Sequence, residues 1–279
     1  MIASYLITLR EGIEAALIVG IILAYLKKVG AERLSRTVYF GTWAGILASV
    51  GVGSLFMFLA VEFEGKGEQI FEGATMFLAA VILTTMILWM RNNSRAYSEG
   101  LKQKVSEAIT DKATFALALL VFVSILREGI EVVLFLGSAS FTASGMETLV
   151  GGTLGLLTAL ALGLAILRYS VRLDLKTFFN VTGVFLVLFA AGLIAHGLGE
   201  FSEAGIVPTL VDKVWDTSGI VSDGSQLGEV LGALFGYTGT PSLAQVLGYV
   251  GYLLVVVFSV FRDGTVAAMR KVYAVVRPA

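Results

Sequence analysis

The sequence Arg10-Glu11-Gly12-Ile13-Glu14 puts three charged side chains inside an otherwise apolar segment of the chain. The same five residues recur as Arg127-Glu128-Gly129-Ile130-Glu131, again within an apolar segment. Ionisable side chains at the centre of a membrane span are costly, and they usually mark a functional site. A chain that repeats such a motif must therefore pair these charges or neutralise them with an ion. We interpret the two motifs as one candidate site.

The three charges of the first motif share one face of a helix, because a helix advances about 100° per residue. Arg10 and Glu14 are four positions apart, so an ion pair between them is expected to keep Glu14 ionised and to leave Glu11 free to coordinate a cation. Gly12 allows a neighbouring backbone or an ion to approach this face. A simpler alternative is a buried salt bridge that joins two helices. Four glutamates against two arginines, however, leave an excess of negative charge that a metal ion would neutralise.

Composition fixes the class of protein. Hydrophobic residues make up 57% of the 279 positions and charged residues 15%, which is too apolar for a soluble domain of this length. We therefore predict an all-α polytopic membrane protein. The sequence has no cysteine and one histidine, His196, which excludes thiolate sites and multi-histidine metal centres and leaves oxygen ligands. The net charge of −1 gives no indication of a nucleic-acid partner.

Seven apolar segments have the length of a membrane span, which is about 20 residues. They predict transmembrane helices at roughly 2–26, 38–61, 71–90, 113–136, 148–167, 177–199 and 242–261. Outside the two motifs, Lys66 and Lys213 are the only basic residues that do not follow the first, third, fifth or seventh segment. Cytoplasmic loops carry the excess of basic residues, so we predict the N-terminus outside and the C-terminus in the cytoplasm. The first segment lacks the signature of a signal peptide and is read as a span.

Each motif opens a unit of three spans, so the second unit is expected to be inverted relative to the first, as in many secondary transporters. Gly41-Thr42 with Gly45 on the second span is echoed by Gly152-Thr153 with Gly155 on the fifth. The predicted organisation is a single permease domain over 1–279. Its parts are repeat 1 (about 1–90), a cytosolic helical linker (91–112), repeat 2 (about 113–200), an external loop with a short helix (201–241), a last helix (242–261) and a cytosolic tail (262–279).

Acidic residues concentrate in the loops predicted to be external, where they can raise the local concentration of cations. Glu72 lies where the third apolar run begins, which makes it a candidate for the ion's entry path. His196 and Glu200 are four positions apart and share a face at the outer end of the sixth span. A histidine beside a carboxylate at such a mouth can bind a metal transiently or accept a proton. The alternative is that all three are ordinary helix-end residues.

The two Arg-Glu-Gly-Ile-Glu motifs, in the first and fourth spans, resemble those of the oxidase-dependent high-affinity iron permease family. This family covers the fungal iron permeases and the bacterial ferrous-iron uptake permeases. The likeness extends over nearly the whole chain. It includes Glu72-Gly73-Ala74-Thr75, the stretch from His196 to Glu200, Glu203-Ala204-Gly205, and Pro241-Ser242 with Gln245 and Tyr249.

The resemblance implies iron transport across the plasma membrane, here the cytoplasmic membrane of a bacterium, by a permease that is not an enzyme. It implies that Glu11, Glu14, Glu128 and Glu131 bind iron, which is a transported substrate and not a cofactor, while Arg10 and Arg127 support them as ion-pair partners. An extracytoplasmic oxidase or peroxidase, or an iron-binding protein, is the expected partner besides iron and the lipid bilayer. Fungal members carry an acidic external motif before the last helix, to which Glu200-Phe-Ser-Glu203 is a loose counterpart, so Glu203 joins the entry-path candidates.

The residues alone do not single out iron, because carboxylates also suit Mn²⁺ and Mg²⁺. A permease of the same build for lead or manganese is therefore an open alternative. A membrane di-iron enzyme is a more distant one, since such sites commonly need Glu-x-x-His pairs and no glutamate here is followed three positions later by histidine.

Overall fold

The computed structural model describes residues 1–110, 114–142, 144–169, 174–208 and 211–276. In these residues the chain is helical and has no strand, which confirms the prediction of an all-α protein. The helices are α1 (Ile2–Lys28), α2 (Ser35–Glu62), α3 (Lys66–Thr110), α4 (Thr114–Thr142), α5 (Gly145–Tyr169), α6 (Leu175–Glu203), α7 (Gln226–Phe235) and α8 (Leu243–Val276). A short 3-10 turn, Glu32–Leu34, precedes α2.

Among the described residues, five helical segments are long and apolar enough to cross a membrane by length and composition, and they lie in α2, α3, α5, α6 and α8. The helices α1 and α4 have 27 and 29 residues, but the charged motif lies near the middle of each. At 1.5 Å per residue both are about 40 Å long, which exceeds the hydrocarbon core of a bilayer. The motif charges, and not a lack of length, set these two helices apart.

The helices pack in crosswise pairs. Helix α1 packs mainly on α5, α2 on α4, and α3 on α6, while α1 also packs against α4, and α8 covers α6. The two motif helices, α4 and α1, are contacted by α2 and α5 respectively. In each contact the helix without a motif presents four small residues, spaced four positions apart. They are Gly41, Gly45, Ser49 and Gly53 on α2, facing α4, and Gly151, Gly155, Ala159 and Gly163 on α5, facing α1. Small residues at this spacing let two backbones approach closely, so the motif helices sit deep in the bundle.

The structural counterpart of Gly41 is Gly151, one residue before the Gly152 that the repeated Gly-Thr pair suggested. Gly45 lies against the carbonyl of Phe122 and Gly155 against that of Tyr5, which makes these two glycines counterparts. Gly41, however, lies against the carbonyl of Ala118, whereas the carbonyl of Met1 faces Gly151 and not Gly152. The spacing of four, which returns a residue to the same helix face, identifies the counterparts better than the Gly-Thr pair does.

Two predicted boundaries do not coincide with helix ends. Helix α3 continues without a break from the third apolar segment through the predicted linker to Thr110. Helix α8 continues through the predicted tail to Val276. In both segments charged and polar residues of good helix propensity follow the apolar run. The apolar run therefore ends at these boundaries, whereas the helix continues beyond them. Positions 111–113 and 277–279 lie outside the described residues.

The predicted loop 201–241 contains α7, whose side-chain cap is Ser225 and whose last residue precedes Gly236 in the left-handed conformation (φ 67°). Gly236 packs directly on Gly192, about 16 Å before the end of α6 at Glu203. Leu234 packs against the apolar core between α1, α3, α4 and α6. The short helix therefore dips into the bundle, where Gly192 and Gly236 together leave the space for it. Sequence reasoning predicted the helix but not its depth.

Candidate metal centre

The first motif forms a buried cluster of charges on α1. Arg10 is 2% exposed, and its Nη1 donates to Glu11 Oε1 at 2.7 Å. Its Nη2 lies 2.9 Å from Glu14 Oε1, an ion pair whose geometry does not make a hydrogen bond. The predicted pairing of Arg10 with Glu14 is thus present. Glu11 is engaged as well, because the guanidinium is wide enough to reach the neighbouring carboxylate, and its Oε2 is left without a hydrogen-bond partner.

The second motif repeats this arrangement on α4 with one difference. Arg127 Nη2 donates to Glu128 Oε1 at 2.7 Å, and its Nε lies 3.3 Å from Glu131 Oε1. Both glutamates are buried, as in the first motif. The Arg127 side chain, however, is 47% exposed, whereas that of Arg10 is enclosed. The two motifs have the same pairing and unequal access to the surroundings.

The crossing of α1 and α4 brings the two motifs together. Glu11, Glu128 and Glu131 each offer a carboxylate oxygen within 4.8 Å of the other two. Glu14 belongs to the same cluster, since it interacts electrostatically with Glu11, Glu128 and Glu131. Two motifs that are far apart in the sequence therefore form one group of four carboxylates and two arginines.

Three glutamates keep a buried oxygen without a hydrogen-bond partner, namely Glu11 Oε2, Glu128 Oε2 and Glu131 Oε2, while Glu14 Oε1 has only its ion pair with Arg10. A buried polar atom without a partner costs roughly 1–3 kcal/mol, and more if it is charged. A cation between the helices would satisfy several of these oxygens at once, at the 2.0–2.6 Å distances that hard metal ions adopt. All of the candidate metal-ligand atoms are oxygens, as expected for a sequence without cysteine and with a single histidine.

Gly12 and Gly129 make this close packing possible. A Cβ on Gly12 would stand 2.5 Å from Ala159 Cβ on α5, and one on Gly129 would overlap the Ser49 side chain on α2. The motif glycine therefore faces the neighbouring helix and not the carboxylates. Its role is to let α5 and α2 press the two motif helices together, which refines the role inferred from the sequence.

Apolar side chains close the site at both ends. The first apolar cluster contains Ile7 and Phe135, which lie one turn from the motifs towards the start of α1 and the end of α4. The second apolar cluster contains Ile18 and Ile125, towards the opposite helix ends. Water is excluded from such contacts, so the carboxylates lie in an enclosed compartment. Hydropathy alone did not distinguish these residues from those facing lipid.

Three of the four entry-path candidates come together at one end of α3 and α6. Glu72, Glu200 and Glu203 interact electrostatically with one another, and Glu68 joins them. Glu203 also accepts a hydrogen bond from Gln69 at 3.2 Å. The four carboxylates form an acidic mouth that the sequence, with Glu72 on one helix and Glu200 on another, only partly indicated.

His196 does not belong to the acidic mouth. Its Nδ1 lies 2.9 Å from the carbonyl oxygen of Gly192, one turn earlier on α6, and it interacts electrostatically with Asp223 in the segment before α7. The predicted pairing with Glu200 rests on sequence spacing alone. In the structure the ring faces the segment that leads into α7.

The segment before α7 is ordered by its own hydrogen bonds. Asp216 accepts bonds from Ser218 and Lys213, and these, the Ser218 hydroxyl above all, lower the pKa of Asp216 to about 2. Asp223 accepts a hydrogen bond from the backbone N–H of Gly239 at 2.7 Å. This bond joins the segment before α7 to the segment after it. Part of the negative charge of this segment is therefore structural.

Sequence reasoning missed the residues that enclose Arg10. Met86 Sδ and Met90 Sδ on α3 lie 3.5 and 3.4 Å from its guanidinium nitrogens, and the Phe179 ring on α6 lies 5.8 Å from its Cζ. The spacing of four between the two methionines was the available signal. It was indistinguishable from ordinary apolar periodicity.

Comparison with known proteins assigns the chain to a family. Residues 1–274 match the Iron permease FTR1 family. A ferrous iron permease EfeU of Escherichia coli O157:H7 is 36% identical over 256 residues, covering 91% of this chain and 93% of the relative. The ferrous iron permease EfeU of Yersinia pestis is 33% identical over 280 aligned positions, covering 98% and 99%. No solved structure matches the chain.

These matches confirm the resemblance inferred from the motifs. The family and the relatives are permeases and not enzymes, and the two relatives are bacterial proteins. Together with the long apolar helices, they identify a multi-pass protein of the cytoplasmic membrane. Because the match spans almost the whole length, the chain belongs to the Iron permease FTR1 family.

Proposed function

We propose that this protein moves iron across the cytoplasmic membrane into the cell through a single site that both motifs share. Glu11, Glu14, Glu128 and Glu131 are the metal ligands in this proposal. The observation that carries it is that Glu11, Glu128 and Glu131, from two helices, each offer a carboxylate oxygen within 4.8 Å of the other two, and each keeps a buried oxygen without a hydrogen-bond partner. A structural salt bridge would have no use for these unpaired oxygens.

The proposed architecture is seven spans in two inverted repeats and a last helix, with the N-terminus outside and the C-terminus inside. Repeat 1 is about 1–90 and repeat 2 about 113–200, with the linker, the loop 201–241, the last helix and the tail as the sequence suggested. The basic residues that follow alternate helices support this orientation.

Reciprocal contacts support the repeats. Gly12 on α1 packs on Ala159 of α5, and its counterpart Gly129 on α4 packs on Ser49 of α2. The same exchange relates Gly53, which packs on Val133, to Gly163, which packs on Ala16. These contacts between α2 and α4 thus have equivalents between α5 and α1, as an in-plane pseudo-two-fold axis would produce.

Iron as the cargo rests on the family, because the chemistry of the site specifies only a hard cation. Four glutamates and two arginines sum to a formal charge of −2, which a divalent ion would balance. A permease of the same build that carries manganese or lead is the competing proposal. A di-iron enzyme is disfavoured, since the single histidine lies beside Gly192 and Asp223 and not among the motif carboxylates.

In this proposal the acidic mouth collects the ion before it reaches the site. Glu72, Glu200 and Glu203 face the outside in the proposed orientation, and His196 lies deeper, beside the segment that leads into α7. The first apolar cluster separates the mouth from the motif carboxylates, so entry requires the helices to move. We further propose an extracytoplasmic oxidase or peroxidase as the partner that sets the redox state of the iron, as the family resemblance implies.

Uptake of radiolabelled Fe²⁺ into proteoliposomes tests the proposal, with Mn²⁺ and Pb²⁺ added singly as competitors. The Glu14→Gln and Glu131→Gln variants keep the shape of the side chain and remove its charge, so uptake should be lost while the protein stays folded. Glu32→Gln, at an exposed position outside the site, is the matched control. Normal uptake by both motif variants would return the motifs to a structural role, and stronger competition by another metal would reassign the cargo.

A further inference from the structure

The last part of α3, residues 99–109, packs against the motif helices, and we call it the inner cover. Leu101 is 5% exposed and Val105 is fully buried. The spacing of four places both side chains on one face of the helix. The exposed residues of the segment are Glu99, Lys102, Gln103, Lys104 and Glu107. The inner cover is therefore an amphipathic helix whose apolar face is buried in the protein.

The apolar face of the inner cover completes the second apolar cluster. Leu101 and Val105 share this cluster with residues of α1 such as Ile18 and with residues of α4 such as Ile125. Ile18 lies four positions after Glu14, and Ile125 lies three positions before Glu128. The cluster thus extends from the motif carboxylates to the inner cover. An ion that leaves the carboxylates in this direction meets a seal to which the inner cover contributes.

The opposite end of the site has a cover from the second repeat. Helix α7 packs on α6 and contacts both motif helices, α1 and α4. Its Leu234 packs against the first apolar cluster, which contains Ile7 and Phe135. The inner cover follows the apolar run of α3, and α7 follows α6. The chain after the third helix of each repeat therefore returns to the motif helices, at opposite ends of the site.

Resting on the proposed function, we propose that the inner cover and α7 are the two gates of the iron path. Movement of α7 away from α1 and α4 admits the ion from outside, and movement of the inner cover releases it to the cytoplasm. Leu234 holds the first gate closed, and Leu101 and Val105 hold the second. Alternating access requires that only one of the two gates is open at a time.

The way in which the gates are attached favours their movement over that of the motif helices. Helix α1 is fixed to α5 by the close contact of Gly12 with Ala159, and α4 is fixed to α2 by that of Gly129 with Ser49. The gates, in contrast, are held at the ends of the bundle by a few apolar side chains. Segments with few buried contacts open locally at the lowest free-energy cost.

Thiol labelling in this cysteine-free chain tests the inner gate. Ile18→Cys reports opening towards the cytoplasm, and inside-out membrane vesicles present that side to an impermeant reagent. The double variant Leu101→Ala with Val105→Ala removes buried contacts and leaves the carboxylates intact, so labelling should become at least about tenfold faster. Val105→Ala alone should give a smaller acceleration. Lys104→Ala, on the exposed face of the inner cover, is the control and should give none.

The outer gate is tested in the same way from the other side. Ile7→Cys, in the first apolar cluster, is the reporter, and right-side-out vesicles present the outer side to the reagent. Leu234→Ala should accelerate the labelling of Ile7→Cys and not that of Ile18→Cys. The double variant at Leu101 and Val105 should do the reverse, so the two gate variants are controls for each other.

The outcomes separate this inference from the proposed function, because labelling needs no iron. Absence of Fe²⁺ uptake by the unmodified protein would refute the proposed function, while the sidedness of labelling still tests the gates. A gate is refuted when its own variant does not accelerate its own reporter. The whole inference is overturned when either variant accelerates both reporters equally, since that result indicates a general loosening of the bundle.

Discussion

The contact between Gly12 and Ala159 offers a sharp test of how the site is assembled. A Cβ on Gly12 would stand 2.5 Å from Ala159 Cβ, whereas two carbon atoms rest at about 3.5–4.0 Å. In Gly12→Ala, α1 and α5 must therefore separate by about 1 Å or more. Overpacking of this kind costs about 1–3 kcal/mol of folding free energy.

The same displacement reaches the metal ligands, because Glu11 is the neighbour of Gly12 on α1. A shift of about 1 Å in a positioned group can reduce activity up to about a hundredfold. We therefore expect Gly12→Ala to raise the half-saturating Fe²⁺ concentration at least tenfold. Removing the opposing methyl group, as in the double variant Gly12→Ala with Ala159→Gly, should restore most of both the stability and the affinity.

The assay is a double-mutant cycle that measures thermal unfolding in detergent and Fe²⁺ uptake in proteoliposomes. Residues in contact couple by about 0.5–3 kcal/mol, and distant residues do not. Gly51→Ala, on α2 where an added Cβ would meet no neighbouring atom within 4 Å, is the control for the effect of an added methyl group. If the effects of Gly12→Ala and Ala159→Gly simply add, the packing of α1 on α5 described above is refuted.

Three further predictions concern the rest of the molecule. In the double variant Glu11→Cys with Glu131→Cys, Cd²⁺ should bridge α1 and α4 because these carboxylates converge in the cluster; failure to bridge, while the control pair Gln69→Cys with Glu203→Cys on α3 and α6 is bridged, would separate the two motifs. An impermeant thiol reagent on intact cells should label Ser222→Cys and not Lys104→Cys, both exposed positions; the opposite pattern would invert the proposed topology. Gly236→Ala should displace α7 from its contact with α6, because Gly236 has a φ of 67° and packs on Gly192. Cleavage of the segment before α7 by added protease should then become faster. An unchanged rate would argue against the packing of α7 in the bundle.

The sequence by itself determined the class of the protein and predicted its candidate metal ligands. Hydropathy indicated an all-α membrane protein, because each span must satisfy its own backbone hydrogen bonds. The repeated charged motif predicted Glu11, Glu14, Glu128 and Glu131 as the candidate ligands, since charges inside apolar spans are costly and usually mark a functional site. Local spacing also predicted the pairing of Arg10 with Glu14, which depends only on helix geometry.

Only the tertiary structure decided the features that depend on contacts between helices. In the structure Glu11 pairs with Arg10. Glu72, Glu200 and Glu203 lie together in the acidic mouth, whereas His196 contacts the carbonyl oxygen of Gly192. The residue that follows α7, Gly236, packs on Gly192. It also made the two motifs unequal, by packing Met86 and Met90 around Arg10 and leaving Arg127 partly open. Periodicity reports which face of a helix is apolar, but lipid and a neighbouring helix are equally apolar partners. The choice between them, and with it the enclosure of the site, is made by the fit of small residues such as Gly12 and Gly129 against the helices that cross them.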